Sequence, residues 1–154
     1  MNAAASEIIA ALKLAPLPGE GGFFRATWRN STASAIYFLV TPEDFSALHR
    51  MAQDEIWHHY AGDAVEHVQL DSRDGSVRRT RLGPDIGGGE QPQLVVPAGV
   101  WQGATLAAGA RAGYALLGCT VSPPWDERGC ELGARLELLR QFPAQAGWIT
   151  ALTR

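Results

Sequence analysis

Three observations predict a mainly β fold, a sandwich or barrel with short helices at both ends. Runs rich in aromatic and β-branched residues recur about every eight to twelve residues, separated by turn-forming clusters. Helical spacing of apolar residues occurs only near the two ends of the chain. One run, Tyr114 to Val121, is apolar enough to be buried on both faces, as an inner strand requires.

Taken in order, Ser6 to Leu14 reads as a helix with Ile8, Ile9 and Leu12 on one side and Glu7 in its first turn. Pro16 and Pro18 stop it. Phe23 to Trp28 and Ala35 to Val40 are the first two strands, joined through the turn cluster Asn30-Ser31-Thr32. Glu55 to Ala61 follows and ends at Gly62-Asp63, and Ala64 to Leu70 comes next. Asp71 to Gly75 turns the chain into Val77 to Leu82. Residues 83–92 carry four glycines and two prolines and read as a loop. Gln93 to Val96, Trp101 to Leu106 and Tyr114 to Val121 complete the strands. Leu136 to Gln141 returns to helical spacing, and Pro143 opens a last turn through Trp148 and Leu152. The whole of 1–154 is expected to be one domain. It divides into a helix and linker (5–18), a barrel (20–122) and C-terminal helices (134–152).

Composition narrows the function. Thirteen basic against 16 acidic side chains leave a net charge of −3, so no global field draws nucleic acid. Arg73, Arg78, Arg79 and Arg81 read as a solvated strand edge. No apolar run is long enough for a membrane span. No signal peptide is visible, and a cytoplasmic location is expected. Two cysteines, Cys119 and Cys130, are expected to remain reduced. The triple glycine Gly87-Gly88-Gly89 leads into a strand rather than a helix N-terminus, which speaks against a phosphate cradle. No nucleotide cofactor is expected. Ser46 and Ser122 lack a neighbouring histidine–acid arrangement, so a serine hydrolase has no support.

The chemistry-bearing residues concentrate between Phe45 and Gly62, where His49, Glu55, His58 and His59 fall; His67 is the remaining histidine. In a strand, alternate residues share a face, so Glu55, Trp57 and His59 point one way and Ile56, His58 and Tyr60 the other. One set lines a barrel interior. Pairing with Glu55 favours His59 as the inward histidine, unless a bulge intervenes.

This stretch and Val95 to Gln102 resemble the two sequence motifs of the cupin superfamily. Against that pattern His49, Glu55 and Gly62 match in the first motif, and Met51 replaces its second histidine. In the second, Pro97 and Gly99 match and Gln102 replaces the histidine. Glu20 to Arg25, Ala35 to Leu39, Asp54 to His58 and Pro97 to Gly99 together look like the cupin-five group of small single-domain cupins, over nearly the whole chain. The resemblance implies a jelly-roll cupin barrel and a homodimer.

Within that frame His49, Glu55 and Gln102 are candidate ligands for a divalent metal ion. His49, Glu55 and His59 are candidate proton-transfer groups. Arg25, Tyr37, Trp57, Trp101 and Gln102 are candidate small-molecule contacts. Each aromatic is equally at home as core filler. Arg25 pairs with Glu55 or a ligand anion if inward and is a solvated charge if outward. The expected function is binding of a small polar metabolite, a sugar or sugar derivative, with isomerisation or epimerisation beside a carbonyl as the favoured chemistry. The rival is a non-catalytic binding or sensor protein. An oxygenase is disfavoured, because redox iron wants more nitrogen ligands than these.

Overall fold

The computed structural model describes residues 1–154. Its elements in chain order are helix α1 (Ala3–Leu12) and strands β1 (Ala15–Pro16), β2 (Phe23–Arg29), β3 (Ser34–Val40), β4 (Ser46–Met51) and β5 (Asp54–Gly62). Then follow β6 (Val65–Leu70), β7 (Val77–Leu82), β8 (Gln93–Val96), β9 (Trp101–Leu106), β10 (Ala115–Ser122) and β11 (Cys130–Leu132). Helices α2 (Arg135–Gln141) and α3 (Ala146–Ala151) close the chain.

The strands form two antiparallel sheets. One has the order β1-β2-β3-β10-β5-β8 and the other β11-β4-β9-β6-β7. Their facing sides enclose an apolar core that includes Phe38, Val40, Trp57, Leu94, Val96 and Leu117. A second apolar layer, with Leu48, Val68, Leu70 and Trp101 facing Leu138, Phe142, Ile149 and Leu152, joins the outer side of the five-stranded sheet to α2 and α3. The predicted β barrel with terminal helices is therefore the fold observed. No helix is long and apolar enough to cross a membrane.

Helix α1 starts earlier than its apolar spacing suggests, because the Asn2 side chain accepts from the Ala5 amide and caps it. Three strands have no counterpart in the sequence expectation, β1, β4 and β11, and the longest of them is β4. Its run Ser-Ala-Leu-His-Arg-Met contains no β-branched residue, so pairing with β9 and β11, not propensity, makes it a strand. Strand β11 is a three-residue piece in a polar segment and gives no periodic signal.

Two irregularities shape the interior. Ser46 pairs with Ala104 but His49 pairs with Gln102, so β4 carries one extra residue between them. This bulge turns both Ser46 and His49, three positions apart, toward the core. A second bulge at Thr27 in β2 lies between the pairs Ala26–Ile36 and Trp28–Ala35, and Ala26, Trp28 and the adjacent Arg29 all line the interior. At the far end of β5, Gly62 sits at φ +85°, and a Cβ there would lie 2.3 Å from the Tyr114 carbonyl oxygen, so glycine is required.

The arginine cluster is a surface feature, as read from the sequence. Arg73 pairs with Asp71 at 2.6 Å and Arg81 with Glu66 at 2.8 Å, all at strand edges and turns. The triple glycine lies in an exposed turn closed by Asp85 and Glu90.

Candidate functional site

The barrel encloses a cavity of about 330 Å³ lined by 17 residues, of which 12 are hydrophobic, so polar contacts within it are few and placed. The polar residues that line it are Glu20, Arg29, Ser34, His49 and Glu55. Three of these converge at its inner end.

His49 comes from β4 and is 2% exposed. Its Nδ1 lies 2.8 Å from the Ala47 carbonyl oxygen. A carbonyl only accepts, so this contact places a proton on Nδ1 and leaves Nε2 bare in the neutral ring. Nε2 is 3.7 Å from Glu20 Oε2, while Glu20 Oε1 accepts from the Ser46 hydroxyl at 2.8 Å. The β4 bulge is what allows one strand to hold both the histidine and the serine that orients its carboxylate partner.

Glu55, from β5, is 5% exposed. Its Oε2 accepts from Gln102 Nε2 at 2.6 Å and Trp57 Nε1 at 3.1 Å. Burial pushes its carboxyl above the ordinary range and the Glu20 charge adds to that rise. His49 and the two hydrogen bonds oppose it. Its environment thus makes Glu55 hold a proton more readily than an ordinary carboxyl. Cys119 lines the same wall, with burial and then Glu55 and Glu20 holding its thiol well above the usual range. It is a buried thiol without the electropositive setting of a reactive one.

Gln102 is buried beside Glu55, but its amide is engaged on both sides. Its Oε1 accepts from Trp57 Nε1 at 2.8 Å while its nitrogen donates to Glu55. The expected metal set of His49, Glu55 and Gln102 is corrected by this geometry, since the Gln102 oxygen is not offered to the cavity. No group of three or more histidine, cysteine, aspartate or glutamate side chains is arranged to hold a metal ion. The donors present do not fit a divalent site of that composition. Replacing Gln102 with leucine keeps the volume and removes a donor from Glu55 and an acceptor from Trp57. The expected cost is about 1–3 kcal/mol in urea unfolding at neutral pH.

The remaining sequence candidates lie elsewhere, each for a reason of strand geometry. His59 shares its face with Glu55 and Trp57, and the β5 bulge falls beyond it, between the pairs with Leu117 and Leu116. It nevertheless does not line the cavity. Four residues of strand carry it roughly 13 Å from Glu55, Trp57 fills the space between, and its Nε2 lies 3.1 Å from the Asp63 carbonyl oxygen. His58 is on the outer face, 3.1 Å from the Thr120 hydroxyl and stacked on Tyr60.

Arg25 and Tyr37 also face outward, because their neighbours Phe24, Ala26, Ile36 and Phe38 take the inner positions. The Arg25 guanidinium sits 5.3 Å from the Tyr37 ring centroid instead of meeting Glu55. Trp101 precedes the inward Gln102 and so points out to the C-terminal helices, with Arg50 over its ring at 4.5 Å. Of the five predicted small-molecule contacts, Trp57 alone lines the cavity wall.

Several cavity-lining residues are not marked by the sequence. Glu20 is the most important, and the available signal was an acid enclosed by Gly19 and Gly21-Gly22 in an otherwise apolar stretch. Met51, the residue standing where the cupin pattern has a histidine, lines the cavity as an apolar wall group. Trp28 and Trp125 form part of the rim; each is about half exposed, at 51% and 41%.

Two antiparallel sheets around an internal cavity, with Glu20, His49 and Glu55 gathered at its inner end, define a cupin-type barrel. The family model described as cupin superfamily (DUF985) matches residues 6–133, and the chain belongs to that family. A hypothetical protein from Leishmania major superimposes with a TM-score of 0.90 at 31% identity, over 97% of this chain and 98% of its own. A Shewanella oneidensis protein gives 0.89 at 31% identity, over 100% and 98%. A dTDP sugar isomerase from Desulfovibrio desulfuricans shares the fold at a TM-score of 0.57 and 20% identity, over 79% and 80%. No curated protein matches the sequence.

Proposed function

We propose that the barrel binds a small organic molecule and that His49 moves a proton on it, an isomerase or epimerase reaction at a carbon next to a carbonyl. The observation that carries this is the inner end of the cavity. An imidazole fixed through Nδ1 directs Nε2 toward Glu20, and a second carboxyl, Glu55, lies on the same wall. Burial raises the proton affinity of Glu55, which suits it to the donor side of such a pair.

In this reading His49 Nε2 takes the proton from the carbon, and the C–H bonding pair moves into an enolate. Glu55, with its raised proton affinity, donates a hydrogen bond to the enolate oxygen. Glu20 stabilises the imidazolium across 3.7 Å, and the proton returns to carbon from either nitrogen-borne or solvent-exchanged stock. No step passes through a metal. Ser46 donates to Glu20 rather than to His49 and is fully buried, so it is a positioning residue and not a nucleophile.

The test combines a thermal-shift screen of small carbonyl metabolites with NMR in deuterated solvent. A stabilising compound is expected to exchange one carbon-bound proton for deuterium with the wild-type protein. With His49→Ala the exchange is expected to drop by at least about a hundredfold. Saturable stabilisation without exchange in any compound supports the sensor reading instead, and exchange undiminished in the variant contradicts the role of His49.

A further inference from the structure

The cavity also states what class of molecule fits it, an inference that rests on the small-molecule reading of the site but not on the proton-transfer step. Of its polar lining groups, two are engaged at the rim. Arg29 Nη1 donates to the Trp125 carbonyl oxygen at 2.6 Å, and the Ser34 hydroxyl accepts from the Trp125 amide at 2.9 Å. Both therefore fasten Trp125 at the rim, where Arg29 keeps its charge and further N–H donors and Ser34 keeps its own hydroxyl proton to donate. The others are Glu20, His49 and Glu55 at the inner end, with two carboxyls and no guanidinium or ammonium among them.

The walls between rim and inner end are apolar: Leu17, Phe24, Ile36, Phe38, Met51 and Val121. A sugar ring needs hydrogen-bond partners around its whole edge, and these walls leave most of its hydroxyls unpaired, at a cost for each. A carboxylate or phosphate head arriving at the inner end meets the Glu20 carboxylate, a like-charge contact that buried sites punish. An ammonium head meets the opposite field and finds acceptors on both acids.

We infer that the barrel takes an amphipathic amine: an apolar or aromatic body of modest size along the walls, with a primary amine seated against Glu20 and Glu55. This replaces the sugar expected from the resemblance with a different substrate class. Chemistry next to a carbonyl then applies to amine-bearing carbonyl compounds.

Calorimetric titration with four probes of one scale tests it: phenethylamine, 2-phenylethanol, 3-phenylpropionate and glucose. Phenethylamine is expected to saturate with a Kd at least about tenfold below that of 3-phenylpropionate, and glucose to show no binding. In Glu20→Gln, which preserves shape, the amine-over-acid preference is expected to shrink to about threefold or less. Circular dichroism confirms that the variant is folded. Tighter binding of 3-phenylpropionate or glucose than of phenethylamine overturns the amine class while leaving the cavity as a ligand site. Failure of all four probes to bind overturns the apolar-body inference, and the metabolite screen with His49→Ala then decides separately whether the site reading itself survives.

Discussion

Trp57→Ala is expected to lower the unfolding free energy by about 3–5 kcal/mol, the range for deleting a large buried aromatic. Trp57 is 1% exposed and stands at the centre of the barrel. Phe38 meets it edge-on at 5.7 Å and His67 at 4.9 Å between ring centroids. The loss goes beyond apolar area, because the indole N–H is shared by Glu55 and Gln102. Its removal leaves an acceptor on each side of a buried polar network short of a donor. Trp57→Phe separates the two contributions. It retains most of the packing and is expected to cost about 1–3 kcal/mol, chiefly from the missing donor. Domains of this size have about 5–15 kcal/mol to lose, so the alanine variant is expected near the threshold of folding in urea titrations. A cost below that of Trp57→Phe contradicts the central position assigned to this residue.

His67 is expected to make the protein acid-sensitive. Its ring is fully buried, neither nitrogen has a partner in good hydrogen-bond geometry, and burial lowers its pKa to about 3 against a smaller opposing pull from the nearby Gln102 amide. The sign follows from linkage. An unfolded histidine takes a proton below about pH 6.5, whereas the folded one resists until about pH 3. The stability owed to a neutral His67 is thus complete above pH 6.5 and is lost as pH falls toward 3. Between pH 7 and pH 4 the expected loss is about 3 kcal/mol from this group.

Glu55 acts in the opposite direction. Its raised pKa favours the folded state below the ordinary carboxylate range and loses that contribution as pH rises. His67→Leu isolates the histidine, since the difference between wild-type and variant stability curves cancels the Glu55 contribution. Chemical denaturation across pH 4–7 is expected to show the wild type losing ground to the variant as pH falls. Parallel curves exclude His67 as the acid-sensitive group.

Much of the barrel was legible because its strands advertise themselves. Val77–Leu82, Gln93–Val96 and Trp101–Leu106 have the bounds the sequence suggests, each a run bounded by turn residues. Strand β4 was not, since Ser46–Met51 lacks β-branched residues and owes its conformation to partners distant in sequence. The same strand hid the site. Its bulge sets Ser46 and His49 on one face at odd spacing, which a strict two-residue alternation assigns to opposite faces. Period-two reasoning placed Trp57 on the inner face, and the same rule excludes Trp101 once Gln102 is known to face inward. What alternation cannot supply is depth along a strand. His59 has the right face and the wrong height, and Glu20, on a glycine-rich turn outside any strand, meets His49 only through the tertiary fold.

The central claim is that His49 keeps its proton on Nδ1 and presents Nε2 to the cavity. Long-range proton–nitrogen NMR of the histidine rings, with His49 assigned by its disappearance in His49→Ala, measures this directly. The account predicts that neutral His49 shows a protonated Nδ1 and a bare Nε2, the tautomer held by the Ala47 carbonyl oxygen. It further predicts that the Nε2 signal shifts when phenethylamine is added. A neutral His49 protonated on Nε2, with its signal indifferent to any added ligand, contradicts the account.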